Sequence, residues 1–220
     1  MLLAVDTSTT QVGLALYDGA RVIAEYAWRS SQRHTVELAP AIAELLARCG
    51  LTMDNVHVLG VALGPGSFTS LRVGLALVKG LAFSKNIPVV GIPTLDILAH
   101  AQPVSRKSLL CVIHAGRGRF AVGVYKSSRK GWQAQGPARV VSLEALMDEA
   151  KSPVIVCGEF SAEEIQKIKN RDIRLISPAG SVRRPAVLAE LAWARWQAGS
   201  VDDEASLAPI YLHTDGSLPV

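Results

Sequence analysis

The sequence predicts an α/β protein of two related lobes, each a mixed sheet that opens with a hairpin and is flanked by helices. Three observations predict this. The first half reads strand, strand, strand, helix, strand, helix, strand, helix. Its opening recurs: Val5-Asp6 leads after eleven residues to Tyr17, closing Leu14-Ala15-Leu16-Tyr17, and Ile113-His114 leads after eleven to Tyr125, closing Val122-Gly123-Val124-Tyr125. Between the two, Gln102-Pro-Val-Ser-Arg-Lys107 is polar, which places an N-terminal lobe over residues 1–103 and a smaller, degenerate one over 104–220.

Each element has a local reason. Leu2 to Val5 is a short apolar strand, and Val12 to Tyr17 and Val22 to Trp28 flank the Asp18-Gly19 turn as a hairpin. Leu38, Ile42, Leu45 and Cys49 recur at helical spacing up to Gly50, with Pro40 expected to kink the start of that helix. Val56 to Leu63 reads as a buried strand, Thr69 to Lys85 as a helix, Pro88 to Gly91 as a strand and Thr94 to Ala101 as a helix. The second half repeats the strand-rich opening with Leu109 to Ile113, Phe120 to Tyr125 and Trp132 to Val141. A helix, the strand Val154 to Cys157 and a helix started by the capping box Ser161/Glu164 follow. Arg184 to Ala198 forms a last helix with Trp193 and Trp196 on one face as core anchors.

Composition narrows the class. At 220 residues and 49% apolar, the chain can bury one large core or two small ones. The most apolar helix candidate, Leu71 to Phe83, is interrupted by Lys79, and the run Met1 to Val5 stops at Asp6, so a soluble cytoplasmic protein without membrane contact is expected. Cys49, Cys111 and Cys157 have no short spacing between them, which fits small core residues in a reducing compartment. The net charge of +4 is uneven. Residues 1–105 carry seven basic and seven acidic side chains, and no acid lies between Asp96 and Glu144, where Arg106, Lys107, Arg117, Arg119, Lys126, Arg129, Lys130 and Arg139 fall. That stretch is either a solvated basic surface or one that faces phosphates.

The stretch Gly64-Pro-Gly-Ser-Phe-Thr-Ser-Leu-Arg-Val-Gly74 joins a strand to a helix. Gly64 and Gly66 permit a close backbone approach, Pro65 fixes its own φ, and Ser67 or Thr69 can cap the helix. Such a turn either receives an anion on unpaired helix N–H groups or is a plain tight turn. Asp6-Thr7-Ser8 sits where the first strand meets its turn. A carboxylate followed by hydroxyls there either orients a metal-bound water near nucleotide phosphates, as in actin-like kinases and ATPases, or closes an Asx turn. His114 stands at the matching position of the second lobe. The helix behind the glycine loop is apolar nearly all round, so it is covered within the chain or by a partner. No Gly-Lys-Ser/Thr follows the glycines, and the five histidines never stand four apart, which removes support for a Walker-type loop and for a zinc peptidase.

Asp6-Thr7-Ser8, His34 ahead of a Leu-x-Pro helix, GPGSFTSLRVG and Pro209-Ile-Tyr-Leu-His213 together resemble the TsaB (YeaZ) family over almost the whole chain. The resemblance implies a duplicated actin-like (ribonuclease H-like, ASKHA) fold and a non-catalytic partner of the related transferase TsaD. With the ATPase TsaE, that pair forms N6-threonylcarbamoyladenosine in tRNAs reading codons that start with A. It implies no cofactor on this chain, ATP/ADP and metal being expected on the partner subunits, and a homodimer in isolation. Asp6, Thr7, Ser8, Gly64, Gly66 and Ser67 would be a nucleotide-binding remnant. Leu38, Ile42, Leu45, Leu71, Leu75 and Val78 would face the partner, and Arg117 and Arg119 would be possible tRNA phosphate contacts. The rival reading is an ATP-dependent phosphotransferase acting alone through Asp6; the glycoprotease-like label once given to the family lacks a ligand set here. The chain departs from the family pattern at Ser70, at His114-Ala115-Gly116 and at His213.

Overall fold

The computed structural model describes residues 1–31, 33–116, 118–129, 131–150, 153–169, 171 and 173–212. In chain order, the strands Leu2–Asp6 (β1), Gln11–Tyr17 (β2) and Val22–Arg29 (β3) are followed by the helix His34–Arg48 (α1) and the strand Val58–Gly64 (β4). Phe68–Lys85 (α2), Val89–Pro93 (β5) and Thr94–His100 (α3) complete the first half. The second half contains Leu109–His114 (β6), Phe120–Ser128 (β7), Gly131–Ala134 (β8), Arg139–Val141 (β9) and Leu143–Glu149 (α4). It continues with Ile155–Gly158 (β10), Ala162–Lys169 (α5) and Arg174–Leu175 (β11), and Pro185–Gln197 (α6) is the last helix.

The first sheet runs β3-β2-β1-β4-β5, antiparallel across the hairpins and parallel from β1 onward. Strand alternation divides its two faces. Leu3 and Val5 join Leu14, Leu16 and Leu59 in a core shared with α1 and α2, whereas Leu2, Ala4, Ala15 and Val58 pack against Leu188, Ala189 and Ala192 of α6. Each buried leucine contributes about 1.5–3 kcal/mol, so both faces must be covered. The helix α1 runs on through Pro40 and ends in the paired bonds Leu51 N–H to Leu46 O and Gly50 N–H to Ala47 O.

The second sheet runs β11-β10-β6-β7-β8, with β9 also on β7. Substituting β6, β7, β8, β10 and β11 for β1 to β5 reproduces the strand order of the first sheet, so the repeated hairpin reflects a duplicated unit. Leu110, Val112, Phe120 and Val122 form its core with Leu143, Leu146, Met147 and Ile168 of α4 and α5. Ser161 and Glu164 make the expected capping box, Glu164 N–H to Ser161 Oγ at 3.3 Å and Ser161 N–H to Glu164 Oε2 at 2.6 Å.

Two expectations are corrected. Trp132 to Val141 is two strands, β8 and β9, interrupted around Gly136, whose φ of +126° cannot continue a strand. The division at 103/104 does not hold either. One compact unit is Met1–Ile97 with Arg183–Ile210, and the other contains Leu98–Val182. The last helix belongs with the first sheet because its small apolar face, Leu188, Ala189 and Ala192, fits the β1/β4 surface. Among the described residues, no helix is long and apolar enough to cross a membrane.

Candidate functional site

The fully apolar strand β1 delivers one carboxylate, Asp6, to its end, and that side chain is only 2% exposed. A buried charge needs a partner. Asp6 Oδ1 accepts the Ser8 N–H at 2.8 Å, an Asx turn, and Asp6 Oδ2 accepts from Arg183 Nε at 2.8 Å. The Arg183 side chain is 0% exposed and also donates from Nη2 to Thr9 Oγ1 at 3.0 Å and to the Gln11 carbonyl at 2.9 Å. Arg183 comes from the segment entering α6, where the neighbouring Arg184 grips Glu25 of β3 through Nε at 2.9 Å. Two successive arginines thus anchor the start of α6 to the opening hairpin.

The glycine loop lies on the same turn. Ser67 N–H donates to the Ser8 carbonyl at 2.7 Å, and Thr94 Oγ1 bridges Ser8 Oγ at 2.7 Å and Gly64 N–H at 2.9 Å. Thr7 Oγ1 donates to the Ser70 carbonyl in the first turn of α2 at 2.8 Å. A Cβ at Gly66 would collide with the Ser8 carbonyl and one at Gly74 with the Thr7 side chain, so both glycines permit backbone contact inside the chain. Ser67 is the helix cap, accepting the Ser70 N–H. The six residues Asp6, Thr7, Ser8, Gly64, Gly66 and Ser67 are therefore brought together as expected. Asp6 bonds Ser8 and Arg183, Ser8 bonds Ser67, Thr7 bonds Ser70 and Gly64 bonds Thr94, and the carboxylate that would face a metal or nucleotide faces a guanidinium instead. These residues do not fit a metal–nucleotide group.

Burial corrects the expectation that the six apolar residues face a partner, although Leu38 also lines the floor of the outward groove. Leu38, Ile42, Leu45, Leu71, Leu75 and Val78 are at most 6% exposed. All but Leu71 lie in the core cluster beneath α1 and α2, and Leu71 packs toward Gly64. The reason is geometric: in α1 the apolar stripe is the one turned to the sheet, and in α2, apolar nearly all round, Leu71, Leu75 and Val78 are the stripe that packs inward. The outward stripe of the same helices forms a groove of about 480 Å³ lined by Thr35, Ala39, Phe68, Arg72, Ala76 and Leu77, among others. Phe68 is 52% exposed with Arg72 stacked 3.8 Å from its ring centroid, and Val36 and Phe83 are 65% and 80% exposed.

His34 opens α1, is buried, and places Nε2 3.2 Å from the Thr9 carbonyl. His114 ends β6 half-buried, 3.5 Å from Glu164 and against the Phe120 ring. Arg119 sits in the β6–β7 turn, where its N–H bonds the Gly116 carbonyl; Arg117 and His213 lie outside the described residues. Among the described residues, no group of three His, Cys, Asp or Glu could hold a metal ion. Sequence reasoning missed Arg183 and Thr94. A lone acid at the end of an otherwise apolar strand was the available signal for a buried cation.

The family model for TsaD, tRNA N6-adenosine threonylcarbamoyltransferase, matches residues 24–192. The tRNA threonylcarbamoyladenosine biosynthesis protein TsaB of Bacillus subtilis is 31% identical over 172 residues, 77% of this chain and 75% of that protein. Among solved structures, a Pseudomonas aeruginosa protein described as similar to peptidase YeaZ superposes with a TM-score of 0.79 at 25% identity, covering 96% of this chain and 99% of that one. The ethanolamine utilization protein EutJ of Carboxydothermus hydrogenoformans shares the actin-like fold with a TM-score of 0.52 at 14% identity, over 86% and 88% of the two chains. By sequence and fold, this chain belongs to the TsaB family, within the wider family that the TsaD transferase model describes.

Proposed function

We propose that the chain is a non-catalytic subunit in the formation of threonylcarbamoyladenosine in tRNA, and that it activates a TsaD-type transferase by docking the outward face of α1 and α2 against it. The observation that carries this reading is the Asp6–Arg183 pair. A phosphotransferase acting alone would need Asp6 to orient a metal or a water, and both carboxylate oxygens accept hydrogen bonds from within the chain. ATP and metal are then held by the partners, a TsaD-type subunit and a TsaE-type ATPase, in the cytoplasm. In isolation the same apolar face pairs two copies of the chain, a self-complementary contact.

Phe68 is the anchor of that face. Large exposed aromatics dominate interface energies, with truncations costing 2 kcal/mol or more, roughly thirtyfold in affinity. Phe68→Asp, mixed with the transferase subunit in a calorimeter, should bind at least about tenfold more weakly while its circular dichroism stays that of the parent. Unchanged affinity of the folded variant would remove the docking proposal.

A further inference from the structure

The strand registers of the second unit gather a cationic rim that the site above does not use. Leu109 of β6 pairs with Tyr125 of β7 and with Ile155 of β10, and Ile155 pairs with Arg174 of β11. One end of the sheet therefore carries the approach to β6, with Arg106 and Lys107, and the far end of β7, with Lys126. It also carries Arg129 in the β7–β8 turn and the first residue of β11, Arg174. Arg106, Lys126, Arg129 and Arg174 are exposed, and Lys107 is half-buried. Neighbouring strands lie about 4.8 Å apart, so from β11 to β7 the rim spans about 14 Å. Among the described residues, Asp148 and Glu149 at the end of α4 are engaged by Arg171 and Arg139, and none of the recorded ion pairs involves the five rim cations.

We infer that this rim is the surface on which the chain holds the phosphodiester backbone of tRNA, at the opposite end of the sheet from the β6–β7 turn that carries Arg119. The inference rests on the proposed role in tRNA modification, which selects RNA among polyanions. Its chemistry is guanidinium and ammonium groups on phosphate oxygens. Tyr125 and Trp132, the aromatic residues beside Lys126 and Arg129 in the chain, are buried, so among the described residues the rim contributes position and salt-dependent affinity without reading bases. Four of the eight cations between Asp96 and Glu144, namely Arg106, Lys107, Lys126 and Arg129, thereby acquire a location.

The test uses the full chain in complex with the TsaD-type subunit and an unmodified tRNA transcript reading an A-starting codon. Tight complex formation is measured first, then tRNA affinity by fluorescence anisotropy across a salt series. The triple variant Arg106→Glu/Lys126→Glu/Arg129→Glu should still bind the transferase subunit. Its tRNA affinity should fall about tenfold or more near 0.1 M salt, and the slope of log affinity against log salt should flatten by about 2–3, since each lost phosphate contact removes about 0.7–0.9. Arg119→Glu, at the other end of the sheet, should change both quantities far less than the triple variant does. Parental affinity and slope in an intact complex would overturn the rim while leaving the proposed function standing. So would a loss confined to Arg119→Glu. Loss of the protein complex in the triple variant would overturn it as well, making the rim a protein interface. Failure of the parent chain to bind the transferase subunit would instead strike the proposed function.

Discussion

Replacing Arg183 by methionine removes the cation and keeps most of the apolar stem. It leaves the Asp6 carboxylate, 2% exposed, without its counter-charge, and takes donors from Thr9 Oγ1 and the Gln11 carbonyl. Breaking a buried ion pair from one side costs about 3–5 kcal/mol. For a chain of this length 1 kcal/mol corresponds to about 2–4 °C, so the melting temperature should fall by about 6–20 °C. Urea unfolding followed by circular dichroism provides the measurement, and Asp6→Asn should show a loss of similar origin. The double variant Asp6→Asn/Arg183→Met buries no charge at either position and should be closer in stability to the parent than either single variant, because replacing both partners is often near neutral. Additive losses, or an Arg183→Met loss under about 0.5 kcal/mol, would refute the idea that Arg183 is the counter-ion Asp6 requires.

The remaining predictions use other parts of the first unit. Gly66→Ala should sharply lower the melting temperature, because the added methyl meets the Ser8 carbonyl, whereas Gly80→Ala has open space and should raise helix stability by about 0.5–1 kcal/mol. Equal effects in the two thermal melts would contradict the packing described. Leu75→Arg buries a charge in the core and should abolish cooperative unfolding, the opposite of the folded outcome expected for Phe68→Asp; a folded, monomeric Leu75→Arg protein would contradict its burial. Burial pushes the Glu25 carboxyl up, but the hydrogen bonds from Arg184 and the Ala186 N–H outweigh it and hold the group below 4.5. A lowered folded pKa gives stability that is present above 4.5 and lost as the pH falls through the folded value. The stability difference between the parent and Glu25→Gln should therefore shrink on acidification below pH 4.5, and a difference that grew there would contradict the assignment.

The architecture was legible because it rests on local signals. The apolar runs Leu2 to Val5 and Val12 to Tyr17, the Asp18-Gly19 turn and the Ser161/Glu164 box each act within a few residues, and each appears in the structure. Asp6 and the glycine loop were each legible for the same reason, whereas their grouping into one site came from the family resemblance; in the structure a strand end and the next parallel strand-to-helix turn meet at one edge of a sheet. What decides their chemistry was not. Arg183 lies 177 residues from Asp6 in the chain, and its approach depends on α6 returning to the first sheet. The interface expectation failed through a related gap. In α2, Leu71, Leu75 and Val78 are buried while Phe68, Arg72 and Phe83 are exposed. In a helix this uniformly apolar, the sequence period does not say which stripe faces inward.

The most direct test of a non-catalytic role is reconstituted threonylcarbamoyl transfer to tRNA with TsaD-type and TsaE-type subunits, comparing no added chain, the parent and the folded Asp6→Asn/Arg183→Met double variant. Turnover should be negligible without the chain and parental with the double variant, because the pair serves only the fold. A double variant that binds the transferase normally yet fails to restore turnover would contradict it and return Asp6 to the chemistry.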